Sequence, residues 1–264
     1  MENKIDMAGV MVSVIMPAYN AEAYIETAIR SVMDQTLADW ELIVIDDCSR
    51  DATVEIVERL ACEDSRITLL RNEGNMGVSK TRNRGMDLAR GSFVALLDSD
   101  DVWYPEKLEK QVALAQEKNA DIVYCSYAIV NEDGQKKCED FIVPETTGFE
   151  ASLVQSVISC STALLSRNIV EIYRFNDAYY HEDLVLWLQI LKDGFSACGV
   201  VNVLAEYRVM GGTRASNKLK VAVHRWRTYH EFLGFSLYKS TKFMLRYALL
   251  GLKKYRRRTN NTRG

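Results

Sequence analysis

Residues 12–53 read VSVIMPAYNAEAYIETAIRSVMDQTLADWELIVIDDCSRDAT, and this stretch decides the fold. It opens on a short β-rich run, 12–16, which Pro17 and the turn-forming Asn20 stop. Residues 21–34 then place Ala21, Tyr24, Ala28, Ile29 and Val32 at helical spacing. A second buried run, ELIVI at 41–45, ends in Asp46-Asp47-Cys48-Ser49. Asp51 stands where an N-cap is expected for a helix reaching about Cys62, with Val54, Ile56, Val57 and Leu60 as its apolar stripe. Strands alternating with helices of this length imply βαβ units.

The alternation continues outward from there. Residues 67–70 read as a third strand, 72–77 as a Gly/Asn loop, and 78–90 as a helix stopped by Gly91. SFVALL at 92–97 is a fourth strand, ending in Asp98-Ser99-Asp100-Asp101. The expected fold is α/β with a mostly parallel central sheet, whose ligands bind at the carboxyl ends of its strands. Polar clusters at 17–20, 46–49 and 98–101 fall at that edge, and they include five Asp residues. Beyond Pro105, which suits the first position of a helix over 105–118, the rhythm changes. Segments 121–130 and 140–143 flank a polar turn at 131–134 and predict a hairpin. Helices are expected at 149–157, 166–173 and 182–192, with short strands near 162–165 and 195–207.

Composition excludes several classes. The chain has 264 residues, 48% of them hydrophobic and 26% charged, with 14 Gly and 3 Pro, which is neither disordered nor fibrous. Six scattered cysteines form no C-x-x-C pair, so neither a zinc site nor a disulfide framework is expected, and a reducing cytoplasm is the simplest setting. The first ten residues, MENKIDMAGV, do not read as a signal peptide, and no uninterrupted apolar run reaches 18 residues. The net charge of −3 conceals an asymmetry. Residues 207–264 hold 15 Lys and Arg against one acid, Glu231, and carry +14, while residues 1–206 carry −17. Such a split suggests a nucleic-acid or membrane contact through the basic part.

The carboxylates support specific chemistry. Asp98 and Asp100 offer hard oxygen ligands suited to Mg²⁺ or Mn²⁺, completed by phosphate oxygens and water; an N-cap with solvated acids is the alternative. Asp46-Asp47 could accept from a base N–H or a ribose hydroxyl, or could form an Asx turn. His181-Glu182-Asp183 opens a strongly apolar helix, where adjacent acids either sit favourably in the helix dipole or aim a general base into a cleft. G-x-G-x-x-G and G-x-x-x-x-G-K-[ST] are both missing, which disfavours a dinucleotide or ATP-cleaving reading. His224 and His230 read as surface or packing residues.

The 12–53 stretch, NEGNMGVSKTRNRG (72–85), GSFVALLDSDDVWYPEKLEKQ (91–111) and HEDLVLWLQI (181–190), in that order, resemble family 2 glycosyltransferases with the Rossmann-like GT-A fold. The resemblance implies a GT-A domain over 1–210, with a nucleotide half at 11–110 and an acceptor half at 111–210, followed by the tail 211–264. It implies that Pro17, Tyr19 and Asn20 line a nucleotide pocket, with Tyr19 against uracil and Asp47 on the base. Asn75 and Arg82 would flank the nucleotide, Asp98 would face ribose or metal, and Asp100 would hold the divalent ion. Asp183 would be the catalytic base, with Glu182 beside it, in a single inverting displacement from a UDP-sugar. A non-catalytic nucleotide-sugar-binding protein that keeps the fold is the alternative, and a nucleotidyltransferase is a third that the Asp183 motif disfavours.

The tail adds Arg208 and Arg214 as candidates for a diphosphate or an anionic acceptor. Residues 217–258 read as helical, with Lys239, Lys242, Arg246, Lys253 and Arg257 on one face and Phe243, Tyr247 and Leu250 on another. A basic amphipathic helix with aromatics is the pattern of an interfacial anchor. A lipid-diphosphate-linked saccharide acceptor at the inner face of the cell membrane is therefore expected, in a bacterial surface-polysaccharide pathway (O-antigen, capsule or teichuronic acid type), with no nucleic-acid role.

Overall fold

The computed structural model describes residues 10–210 and 218–261. Four strands form its parallel half: β1 (Val12–Ala18), β2 (Trp40–Asp46), β3 (Ile67–Arg71) and β4 (Phe93–Leu96). They lie in the order β3-β2-β1-β4 and pair in parallel throughout. β1 and β2 are buried along their whole length, as continuous apolar runs in a doubly covered sheet must be. Between the strands run α1 (Ile25–Met33), α2 (Thr53–Glu63) and α3 (Val78–Leu88). α1 and α2 pack on one face through Ile25, Ile29, Val32, Val57 and Leu60, and α3 packs on the other through Met86. Gly85 allows α3 to lie against β1 and β2, because a Cβ there would meet Ile15 Cγ2 at 2.4 Å and Ile45 Cδ1 at 2.8 Å.

The second half is mixed. β5 (Val102–Trp103) precedes α4 (Lys107–Lys118), and β6 (Ile122–Val130) follows. β7 (Thr146–Thr147), α5 (Phe149–Val154), a 3₁₀ turn at Cys160–Thr162, β8 (Leu164–Ser166) and α6 (Arg167–Ile172) come next. α7 (Glu182–Lys192) and β9 (Ala197–Arg208) complete the unit. β8 runs antiparallel between β4 and β6 and so joins the two halves, while β6 and β9 pair in parallel. A single nine-stranded sheet results among the described residues, in the order β3-β2-β1-β4-β8-β6-β9-β5 with β7 on β9.

Several expectations change. The hairpin over 121–143 shrinks to two antiparallel bridges, Tyr127–Phe141 and Val130–Lys136, on the β6 edge opposite β9. Pro105 lies two residues before α4 rather than inside it. Asp51 does not hold the capping position of α2, which Ala52 takes. Its carboxylate nevertheless accepts from the Thr53 N–H and hydroxyl and from the Glu22 N–H. β5 and β7, two residues each, carry no periodicity from which to infer them.

The tail is not one helix. α8 (Lys218–Arg227) runs into a π turn at Thr228–Phe232, and α9 (Leu237–Asn261) starts after Gly234, whose φ of 66° breaks the helix. Tyr229, Leu233, Phe235 and Phe243 pack on Leu153, Leu184 and Leu188, so α8 and α9 close over α5 and α7. Phe243 and Tyr247 therefore face the protein: Phe243 is buried, and the Arg225 guanidinium lies 4.2 Å from the Tyr247 ring centroid. The outward apolar stripe is a different one: Tyr238, Leu245 and Leu249, which are 80%, 60% and 66% exposed. Lys239, Lys242 and Arg246 are exposed around it, while the side chains of Lys253 and Arg257 lie outside the described residues, as does Arg214. Among the described residues no helix is long and apolar enough to cross a membrane.

Candidate active site

Parallel pairing of β1, β2 and β4 brings their carboxyl ends to one edge, and the three polar clusters follow directly. At the first, Pro17 is buried in β1, and Asn20 adopts a left-handed φ of 48°. Its N–H donates to Ser49 Oγ and its Oδ1 accepts from the Arg50 N–H, each at 2.9 Å, which stitches the corner to the loop after β2. Tyr19, 49% exposed, is displayed on this fixed corner.

At the second cluster, Asp46 accepts from the Ser49 N–H three residues on, one residue further than an Asx turn reaches. Asp47 anchors the 72–77 loop. Its Oδ1 accepts from Asn72 Nδ2 (2.7 Å) and the Met76 N–H (2.8 Å), and its Oδ2 accepts from the Gly77 N–H (2.8 Å). Burial alone would raise its pKa, but these donors outweigh it and hold the carboxyl below the usual range. The structure thus assigns Asp47 to shaping the loop that presents exposed Asn75.

The third cluster meets α7 through Arg82, which sequence reasoning placed at the rim of the nucleotide. The structure turns it inward to 4% exposure. Its two terminal nitrogens divide between Asp98 Oδ1 (2.5 Å) and Glu182 Oε1 (3.1 Å), and its guanidinium lies over the Phe175 ring. One side chain on α3 therefore ties the loop after β4 to the start of α7. The Asp98 N–H donates to Ser161 Oγ on the 3₁₀ turn, so that turn floors the site.

Asp100 has no hydrogen bond or ion pair at its carboxylate from another described side chain. Burial, and then the charge of Asp98, push its pKa up to about 6. Asp183 reaches about 6 as well, through burial first and the neighbouring Glu182 second. The completely buried Asp101 is driven well above the usual range by burial, then by Asp100 and Asp98; it accepts from the Arg208 N–H at 2.8 Å. Arg208 is expected to face a diphosphate or an acceptor, yet its guanidinium donates to the backbone carbonyls of Asp100, Asn131 and Glu132 and lies over Tyr24. The structure gives it the task of holding the Asp98–Asp101 loop against β9.

Sequence reasoning missed three contributors, Ser161, Tyr127 and Tyr207, and gave Asp101 no role of its own. Ser161 and Asp101 support the acidic loop, while Tyr127 and Tyr207 form an aromatic wall with ring centroids 5.7 Å apart. Burial and then the charge of Asp101 raise both phenols, which sets them near the carboxylates. The third Asp of the D-x-D-D run was the one available signal; Ser161, Tyr127 and Tyr207 stand in no recognisable motif.

The family model of glycosyl transferase family 2 matches residues 13–171. The chain belongs to glycosyltransferase family 2. This glycosyltransferase is 36% identical over 244 residues to a Bacillus subtilis glycosyltransferase assigned to teichuronic acid biosynthesis, covering 92% of this chain and 97% of that one. It is 37% identical over 246 residues to the Escherichia coli UDP-Glc:α-D-GlcNAc-diphosphoundecaprenol β-1,3-glucosyltransferase, covering 93% and 95%. Among solved structures, Staphylococcus aureus TarS 1–349 in complex with UDP-GlcNAc matches with a TM-score of 0.69 at 19% identity, covering 90% of this chain and 71% of that one. The Pyrobaculum calidifontis mannosyltransferase in complex with GDP-Man and Mn²⁺ matches at 0.68 and 20%, covering 86% and 65%. These likenesses establish the GT-A fold.

A divalent ion fits the residues present. Asp100 is a half-buried carboxylate without an ion pair to a described side chain, and Arg82 engages Asp98 through Oδ1. Among the described residues no cluster of three or more His, Cys, Asp or Glu could hold an ion by itself. Two carboxylates suit an ion that takes its remaining ligands from a phosphorylated substrate and water.

Proposed function

We propose that this glycosyltransferase moves a hexose, glucose or galactose, from a UDP-sugar to a lipid-diphosphate-linked saccharide, with inversion, in bacterial surface-polysaccharide synthesis. One observation supports the proposal: buried Arg82 joins Asp98 to Glu182, so the loop after β4 and the acids that open α7 are neighbours. In this reading Tyr19 faces the uracil on the corner that Asn20 fixes, and the loop held by Asp47 borders the nucleotide. Asp183 takes the proton from the acceptor hydroxyl as that oxygen attacks the anomeric carbon from the face opposite the leaving group. Glu182 raises the basicity of Asp183 by charge, while Arg82 keeps Glu182 in place. Asp98 and Asp100 would hold Mn²⁺ or Mg²⁺, which would supply neutralising charge for the UDP leaving group.

The acceptor class rests on the tail and on the named activity of the Escherichia coli relative. The exposed stripe of Tyr238, Leu245 and Leu249, among Lys239, Lys242 and Arg246, suits an anionic bilayer surface. This reading places the protein peripherally on the cytoplasmic face of the membrane. Purified protein with Mn²⁺ should transfer from one member of a UDP-hexose panel to a lipid-diphosphate-linked GlcNAc or GalNAc acceptor. Product mass identifies the sugar, and a β anomer formed from an α-linked donor demonstrates inversion. No transfer with any member, together with no UDP binding, overturns the proposal.

A further inference from the structure

Lys107 is completely buried in the first turn of α4. A cation there stands at the unfavourable end of the helix dipole, and no carboxylate of a described residue pairs with it. Its Nζ lies 3.7 Å from the centroid of the Trp103 ring and donates to Gln111 Oε1 at 2.7 Å. Both partners lead to one place. Trp103 Nε1 donates to the Ser161 carbonyl at 2.7 Å. Gln111, equally buried, donates through Nε2 to the Thr162 carbonyl at 2.8 Å and to the Val123 carbonyl at 3.1 Å. Ser161 and Thr162 belong to the 3₁₀ turn that floors the acidic loop, and Ser161 Oγ accepts from the Asp98 N–H at 3.1 Å.

We infer that Lys107 is a positioning residue for the divalent-ion loop, bracing through Gln111 and Trp103 the 3₁₀ turn on which the Asp98 backbone rests. This role rests on the functional reading given above, in which Asp98 and Asp100 hold the ion, and it names what fixes their loop from behind. An ammonium donates and does not accept, so only the carbonyl end of the Gln111 amide can face it. That orientation turns the Gln111 N–H groups toward Val123 and Thr162. The same ammonium sits on the face of the Trp103 ring, whose indole N–H then stays on the neighbouring Ser161 carbonyl. Burial lowers the Lys107 pKa only to about 8, so the group is charged at neutral pH. The Cys125 thiol beside it, pushed up to about 11 by burial, stays uncharged. Methionine at 107 would keep an unbranched apolar stem but leave Gln111 Oε1 buried without its donor, and the amide would lose the contact that orients it.

Full-length protein tests this role by two readouts that do not depend on transfer. Amide hydrogen exchange at Asp98 is followed by NMR without metal, and calorimetry gives the Mn²⁺ affinity of the UDP-saturated protein. Lys107→Met is expected to speed Asp98 exchange about tenfold and to weaken Mn²⁺ binding about tenfold, as the loss of an outer partner of a metal ligand does. Trp103→Phe keeps the ring and removes the indole N–H, and should shift both quantities in the same direction. Lys107→Met/Gln111→Leu should weaken Mn²⁺ binding by less than the product of the two single effects, because both act through one amide. Lys110→Met, which breaks only an ion pair with Glu106 on the same helix, should leave both quantities at the wild-type values. Lys107→Met with wild-type Asp98 exchange and wild-type Mn²⁺ affinity overturns the positioning role, even at a lowered melting temperature. If Lys107→Met does not fold, the same two results in Trp103→Phe overturn it. Absence of Mn²⁺ binding in the wild-type protein with UDP condemns the functional reading, while Asp98 exchange still decides the brace, so the two failures are distinguishable.

Discussion

Arg82 satisfies two partly buried carboxylates at once, and removing it leaves both without their cation. Breaking a buried pair in this way typically costs about 3–5 kcal/mol. For a chain of this length Arg82→Met is expected to lower the melting temperature by on the order of 10 °C. Arg82→Lys should recover only part of this, since an ammonium lacks the fork that reaches both Asp98 and Glu182. A thermal scan showing Arg82→Met within about 2 °C of wild type would contradict the bridging role. Asp183 provides a second prediction at this scale. It must be ionised to accept a proton, and burial with Glu182 places its titration at about 6. Activity, read as kcat/KM, should therefore rise tenfold per pH unit below about pH 6 and level off above it. Glu182→Gln removes the neighbouring charge and should move that limb to lower pH; an unmoved limb would assign it to another group. The identities of Asp98, Asp100 and Asp183 were legible in the sequence because carboxylates at strand and helix ends form short motifs. The inward turn of Arg82 was not, since nothing in VSKTRNRG distinguishes an arginine facing solvent from one facing the sheet. Asp47 and Arg208 stand out in the sequence as polar residues near strand ends, but which atoms satisfy them depends on loops that meet only in three dimensions.

The helices and parallel strands of the first half followed from periodicity, because each buries one face or both faces of a regular repeat. α3 shows what periodicity does not reveal. Gly85 sits in mid-helix, where it costs about 1 kcal/mol relative to Ala, yet a Cβ there would collide with Ile15 and Ile45. Overpacking of this kind costs about 1–3 kcal/mol. Gly85→Ala should therefore destabilise despite its better helix propensity, by about 1 kcal/mol net, read as a shift in denaturation midpoint at unchanged slope. A stabilised variant would mean that α3 can withdraw from the sheet. The second half was less legible for a related reason. β8 is three residues long, and its antiparallel insertion between β4 and β6 is decided by pairing with partners distant in sequence, such as Phe93 with Ser166 and Ile122 with Leu165. The hairpin survives only as two bridges, because turn chemistry at 131–134 fixes the reversal of the chain but not how far the returning segment pairs.

At the scale of the whole molecule, the charge split proves to be two connected regions. The acidic part holds the cleft, while the basic tail folds back onto α5 and α7 and presents a separate face outward. Because Phe243 belongs to the tail's buried cluster, deleting residues 240–264 would also unpack α7. A triple variant, Tyr238→Ser/Leu245→Ser/Leu249→Ser, changes only the outward stripe. Wild-type protein is expected to float with anionic liposomes and to lose that binding in high salt, since each cation near the leaflet contributes about 1 kcal/mol. The triple variant should remain in the soluble fraction at a wild-type melting temperature; equal flotation of the two would refute the anchoring face. The central claim is that one cleft binds UDP through the Asp98–Asp100 loop and performs proton transfer through Asp183. Calorimetric UDP affinity with Mn²⁺, measured beside sugar transfer for Asp183→Asn and Asp100→Ala, tests it most directly. The account predicts that Asp183→Asn keeps wild-type UDP affinity and loses at least about a hundredfold in transfer, while Asp100→Ala loses both. Wild-type transfer by Asp183→Asn, or UDP affinity indifferent to Asp100→Ala, would contradict it.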